Sequence, residues 1–203
     1  LGWHATGDQE MYTMQELIEQ FSLERVSKSG AKFDYEKGKW FNHQYLQLRS
    51  NEELAEQFLP ILTSHLSPLT SNLSLETVAK VIGLTKDRVN FVSEFWEQVN
   101  FFFVAPTEYD EKSLKKRWKE DSPKHMTEML ALLEAHDDWS AEGLDNLIMP
   151  WIAEKEYGVG IVMNAFRICL VGAARGPHIW NITDVLGKKE TLRRVRTALE
   201  KLA

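Results

Sequence analysis

Apolar side chains recur every third or fourth position along almost the whole of this 203-residue chain, and no stretch of useful length alternates apolar with polar. Such spacing lines up one stripe on an α-helix, whereas a half-buried strand needs a period of two. This excludes a sheet protein and predicts an all-α fold, a bundle of short helices. Thr13-Met-Gln-Glu16 is a capping box ahead of Met14, Leu17, Ile18 and Phe21, which share one stripe. Asp34 caps a second helix that carries Tyr35, Trp40, Phe41, Tyr45 and Leu48, with Gly38 costing it about 1 kcal/mol relative to Ala. A third runs from Asn51 with Pro60 as a kink or break. A fourth lies in SNLSLETVAKVIG, started by Ser74 and stopped at Gly83.

The spacing of Val89, Val92, Phe95, Trp96 and Val99 predicts a fifth helix from Val89, with Arg88 near its start. Ala105-Pro106-Thr107 is a turn that divides the chain into two consecutive helical subdomains, 1–104 and 105–203. In the second, helices are predicted over 111–119, from the Ser122-Pro123 cap, and from Ser140 to an end at Gly158 and Gly160. Others follow over 163–171, 181–187 and 191–202. In the last, Leu192, Val195 and Leu199 are placed inward, and Arg193, Arg194 and Arg196 outward.

The totals narrow the function. No run reaches the roughly 18 apolar residues of a membrane span, and the opening LGWHATGDQE lacks the regions of a secretory signal. A single cysteine, Cys169, allows no internal disulfide, so a reducing, cytoplasmic setting is expected. The chain opens on Leu-Gly-Trp, like the end of an element already under way, and reads as a fragment. The formal charge of −6 conceals an asymmetry: residues 155–203 hold nine Lys/Arg against four Asp/Glu, leaving +5 there and −11 elsewhere. A basic end on an acidic chain can focus an anionic partner, although a solvated terminal helix would look the same.

Motifs for catalysis are missing. The six histidines, His4, His43, His65, His125, His136 and His178, stand singly, without ligand spacing, so no metal is expected. Gly158-Val-Gly160 does not continue as a phosphate-binding fingerprint, and no Gly-Lys-Ser/Thr loop occurs. Asp137-Asp138 and Glu52-Glu53 read as helix-end charges. No catalytic residue and no cofactor is expected in this chain.

The unusual stretch is FRICLVGAARGPHIW, residues 166–180. Arg167 lies in an apolar run, so its guanidinium needs a partner or a ligand. Arg175-Gly-Pro-His178 adds donors on a loop whose glycine allows close backbone approach, and Ile179 and Trp180 offer apolar surface on which an unpaired base could stack. Those features suit single-stranded RNA, while duplex binding would call for longer basic stripes. For Arg88 the plainer reading is a solvated residue paired with Asp87 or Glu94.

These residues carry a resemblance. Glu16-Leu17-Ile18 with Phe21, SGAKFDYEKGKWFNHQYL (residues 29–46), and FRICLVGAARGPHIWNITDVLGKKETLRRV make nearly the whole chain similar to the C-terminal part of bacterial glutamyl-tRNA synthetases, class I aminoacyl-tRNA synthetases. The resemblance implies an all-helical anticodon-binding region preceded by the tail of the region that contacts the inner corner of the tRNA. It implies glutamate tRNA as partner through its anticodon, no DNA or membrane partner, and a monomer. The family's reaction, activation of glutamate with ATP and Mg²⁺ and transfer to the tRNA, would belong to the full-length enzyme, so this piece would be inactive alone.

By the same resemblance, Arg88 stands where members that reject glutamine tRNA carry an arginine against the third anticodon base. Cytosine there offers O2 and N3 acceptors, and guanine offers N1–H and N2–H donors; an arginine has only donors, which favours C over G by about 1–3 kcal/mol. Arg167, Gly176, Pro177 and Ile179 match positions around the other anticodon bases. Gly176 replaces a hydroxyl residue of at least one relative, which leaves only backbone contact there. Arg175, Arg193 and Arg194 are expected at phosphates, giving affinity and salt dependence without sequence choice. The rival reading is a free-standing helical module whose aromatic stripes dock protein partners.

Overall fold

The computed structural model describes residues 2–66 and 74–202, so residues 71–73 at the start of the predicted fourth-helix run lie outside them. Among the described residues the regular structure is entirely helical: α1 (Met14–Gln20), α2 (Tyr35–Leu48), α3 (Asn51–His65), α4 (Leu75–Gly83), α5 (Phe95–Phe103), α6 (Glu111–Arg117), α7 (Ser122–Ala135), α8 (Ala141–Glu154), α9 (Val159–Val171) and α10 (Ile179–Leu202). The caps lie where side-chain chemistry places them. Thr13 and Glu16 close a reciprocal capping box, and Asp34, Ser74 and Ser140 each accept a hydrogen bond from the backbone N–H three residues on.

Four boundaries depart from the periodic reading. Pro60 sits inside α3 without ending it. The fifth helix begins at Phe95 rather than Val89, because the Glu94 carboxylate accepts hydrogen bonds from the N–H groups of Asn90 and Phe91, and Val89 and Phe91 are extended. α8 ends at Glu154, before the glycines: Glu156 turns the chain at φ 56°, and the Tyr157 N–H bonds back to Ile152 O at 3.0 Å. Gly158 is instead the N-cap of α9 and Gly160 lies within it, so that helix starts four residues earlier than its apolar run. The two expected terminal helices are both present, separated by the non-helical Gly187 (φ 73°, ψ 168°), and are labelled together as α10.

One hydrophobic core runs from Leu46 to Ala198, with Phe58, Phe95 and Phe166 among its largest fully buried side chains. α1 and most of α2 stand outside it. Met14, Ile18 and Leu48 are exposed, α1 buries no residue, and α2 buries Leu46 alone. These exposed apolar residues face outward, while Leu17 of α1 and Phe41 and Tyr45 of α2 line a common cavity of about 520 Å³.

Gly172 ends α9 in the left-handed region at φ 80°. Its carbonyl accepts from Asp110 N at 2.8 Å, and a Cβ there would lie 2.8 Å from Pro106 Cβ and 2.9 Å from Glu108 O. Gly172→Ala is expected to lower the unfolding free energy by about 2–3 kcal/mol through backbone strain and steric overlap, measured by denaturant unfolding.

Candidate nucleic-acid interface

Arg88 sits on a 3₁₀ turn, Lys86–Arg88, between α4 and α5. The turn starts on a buried Thr85, whose hydroxyl donates to Val81 O at 3.0 Å, and the Arg88 N–H closes it onto Thr85 O at 2.9 Å. The Arg88 side chain is 39% exposed, and its Nε lies 3.8 Å from an Asp87 carboxylate that is itself 73% exposed. At that separation and exposure the pair contributes little. Glu94, the other candidate partner, is occupied by backbone N–H groups.

Arg167 projects from α9 and is half-buried. It is bonded to carbonyls rather than to a carboxylate: Nη1 donates to Pro177 O at 2.6 Å and to Arg175 O at 3.2 Å. Its Nε–H and Nη2–H₂ have no protein partner among the described residues. Burial, and then the neighbouring Arg88 charge, hold its proton affinity below the ordinary arginine value. Arg167 thus carries a positive charge with unused donors and, among the described residues, no carboxylate bonded to it, a combination that suits an anion or an acceptor edge.

The loop after α9 is shaped to receive Arg167. Gly176 adopts φ 105°, and a Cβ on it would meet Phe101 Cζ at 3.2 Å and Arg167 Nη1 at 3.6 Å, so a glycine permits the close approach. Ala174 N bonds to Ser113 Oγ at 3.0 Å, tying the loop to α6. The buried Pro177 contributes its carbonyl to Arg167. Beside Arg167 opens a depression of about 280 Å³, bordered by Asp145, Met163, Asn164, His178 and Trp180. That is near the ~300 Å³ lower end of small-molecule pockets, a size suited to one ring system.

Several site residues lie elsewhere than the sequence reading puts them. Arg194 points inward and is 3% exposed: Nη1 donates to Phe101 O at 2.6 Å and Leu170 O at 2.7 Å, and Nε donates to Glu190 at 2.7 Å. Buried, with its Nε and Nη1 donors occupied, it cannot meet a phosphate. Ile179 and Trp180 are buried as well, and Trp180 Nε1 donates to Asp145 Oδ1 at 2.8 Å while its ring packs near Phe166. They wall the depression without offering an open stacking face. Arg193 is 53% exposed and makes a two-pronged pair with Glu190. Arg196 pairs outward with Glu134. Arg175 is exposed, but its guanidinium donates to Glu97 O and to Asn100 Oδ1 and lies 5.5 Å from the Phe101 ring centre. It fastens the loop to α5 and keeps only part of its donor set for a ligand.

Three residues that spacing alone did not single out as functional frame the Arg88 turn. Asn42, His43 and Gln47 of α2 bond to the carbonyls of Asn90, Val89 and Lys86. Polar residues on the open face of a helix look like solvated surface until the facing loop is placed. No helix among the described residues is long and apolar enough to cross a membrane.

Comparison with known proteins gives the family of the chain. The family described as "Anticodon binding domain" matches residues 53–199. Across 202 residues the chain is 54% identical to the glutamate–tRNA ligase of Phocaeicola vulgatus and 55% identical to that of Bacteroides fragilis, covering all of this chain and 39% of each relative. The chain therefore spans about two fifths of the length of these relatives. It is also similar to the crystal structure of a glutamate tRNA ligase from Elizabethkingia meningosepticum, with TM-score 0.91 and 37% identity, over 100% of this chain and 39% of that one. An all-helical core and this match over most of the sequence lead to one assignment: the chain belongs to the anticodon-binding domain family.

Proposed function

We propose that this chain is the anticodon-reading part of a glutamate–tRNA ligase and binds glutamate tRNA through the face that carries Arg88 and Arg167. The observation that carries the reading is a half-buried Arg167 held on carbonyls with donors left over, together with an exposed Arg88 whose one carboxylate partner among the described residues, Asp87, is itself exposed and 3.8 Å away. Arg88 donates to O2 and N3 of a cytosine at the third anticodon position, where a guanine places its N1–H and N2–H donors instead. Arg167 and the Gly176-Pro177 bend shape the site for the neighbouring bases, with Ile179 behind them. Arg193 and the remaining donors of Arg175 serve phosphates, adding affinity and salt dependence but no base choice.

The chain acts as a monomer in the cytoplasm, organised as subdomains 1–104 and 105–203. Glutamate activation with ATP and Mg²⁺, and its transfer to the tRNA, belong to the longer protein. The residues described here do not fit those groups: no cluster of three His, Cys, Asp or Glu could hold a metal ion, and the α9 glycines cap or continue a helix rather than cradle phosphate. No step through them is assigned to this chain.

The outward apolar stripes of α1 and α2 favour the second reading, a protein-docking module. Titration with glutamate tRNA, and with the same tRNA lacking its anticodon loop, separates the two. Anticodon-reading requires binding that weakens at least tenfold without the loop and falls with salt; equal binding of both RNAs, or of neither, contradicts it.

A further inference from the structure

We propose that Asn42, His43 and Gln47 of α2 are positioning residues for third-base selectivity, because they fix the main chain on both sides of Arg88. The inference rests on Arg88 being the third-base contact. Arg88 itself makes no side-chain bond stronger than the 3.8 Å approach to Asp87, so its aim depends on the backbone that carries it. On the near side, Gln47 Nε2 donates to Lys86 O at 2.7 Å. On the far side, His43 Nδ1 lies 2.8 Å from Val89 O, and Asn42 Nδ2 donates to Asn90 O. The lock also runs in reverse: Lys86 Nζ donates to Gln47 O at 3.3 Å and Arg49 O at 3.2 Å, at the end of α2 where helix carbonyls lack partners.

Core packing does not account for this arrangement. α2 buries only Leu46, so its attachment to the turn is largely polar. α2 also lies ahead of residues 53–199, the span matched by the anticodon-binding family, so the element that aims the arginine comes from outside that span. A long, flexible cation discriminates between base edges only when its starting point is held, and loosening that point costs orientation before it costs charge.

The test uses the full-length protein carrying this chain, with Asn42→Leu and Gln47→Met combined, near-isosteric changes that delete the amide donors. Charging of glutamate tRNA with C or G as third anticodon base is compared with charging of a tRNA altered at the middle base. The expected result is a five- to tenfold fall in the C-over-G ratio of kcat/KM, carried mainly by KM, with unchanged discrimination at the middle base. Adding Arg88→Gln should cost less than the product of the two separate effects, since both changes act on one contact. Unaltered third-base selectivity, or a parallel fall at both bases, overturns the proposal even where Arg88→Gln alone reduces selectivity. If Arg88→Gln alone leaves third-base selectivity intact, the underlying reading of Arg88 fails instead, and the proposal with it.

Discussion

Arg194→Met is expected to lower the unfolding free energy by about 3–4 kcal/mol, the largest single effect among the arginines. Methionine keeps most of the length and apolar volume but removes every donor. Phe101 O and Leu170 O then lose their guanidinium bonds in the core, at roughly 1–3 kcal/mol for each buried acceptor left unsatisfied. The loss approaches the ~3–5 kcal/mol seen when one partner of a buried ion pair is deleted. Glu190 softens the outcome, because it is 31% exposed and retains Arg193. Chemical denaturation measures the change, and a loss below about 1 kcal/mol would show that Arg194 is not the internal tie described here. Arg193→Met, at an exposed pair, should cost less than about 1 kcal/mol.

The same network sets a pH dependence. The hydrogen bond from Arg193 first, then those from Arg194 against the opposing effect of burial, hold the Glu190 carboxyl below the ordinary 4.5. A depressed carboxyl contributes stability that is fully present above its unfolded value and is lost as pH falls through its folded value. Stability should therefore decline below about pH 4.5, less steeply in Arg194→Met.

Arg88→Gln in the full-length enzyme should reduce the preference for C over G at the third anticodon base by about 5- to 150-fold, the equivalent of about 1–3 kcal/mol. Glutamine presents an acceptor as well as donors, so it can satisfy the guanine edge that arginine leaves unmatched. Charging of the cytosine tRNA should fall less than charging of the guanine tRNA rises. That asymmetry separates base reading from phosphate contact, whose removal weakens all tRNAs alike. Unchanged selectivity would remove Arg88 from the site.

Much of the architecture was legible in local chemistry. The Thr13, Asp34, Ser74 and Ser140 caps each satisfy backbone donors within their own turn, so no tertiary information was needed to place them. The start of α5 was not, because Val89 and Val92 continue the apolar period while the Glu94 carboxylate competes for the backbone donors that helix would use. Arg194 was misplaced for a related reason. A charged residue belongs outside by default, yet its position shares the buried face of Thr191, Val195 and Ala198, and its partners are carbonyls on α5 and α9. Trp180 looks like open surface from sequence because its neighbours there form a loop, whereas Asp145 and Phe166 enclose it from other helices. Arg88 and Arg167 are 79 residues apart, and no local signal links them; only the resemblance singles out Arg88.

The most direct measurement is the dissociation constant of this chain for two glutamate tRNAs that differ only in carrying C or G as third anticodon base, taken at one salt concentration. The account requires the cytosine tRNA to bind at least fivefold more tightly, with the difference abolished by Arg88→Gln. Equal affinities for the two RNAs in the unaltered chain would contradict it.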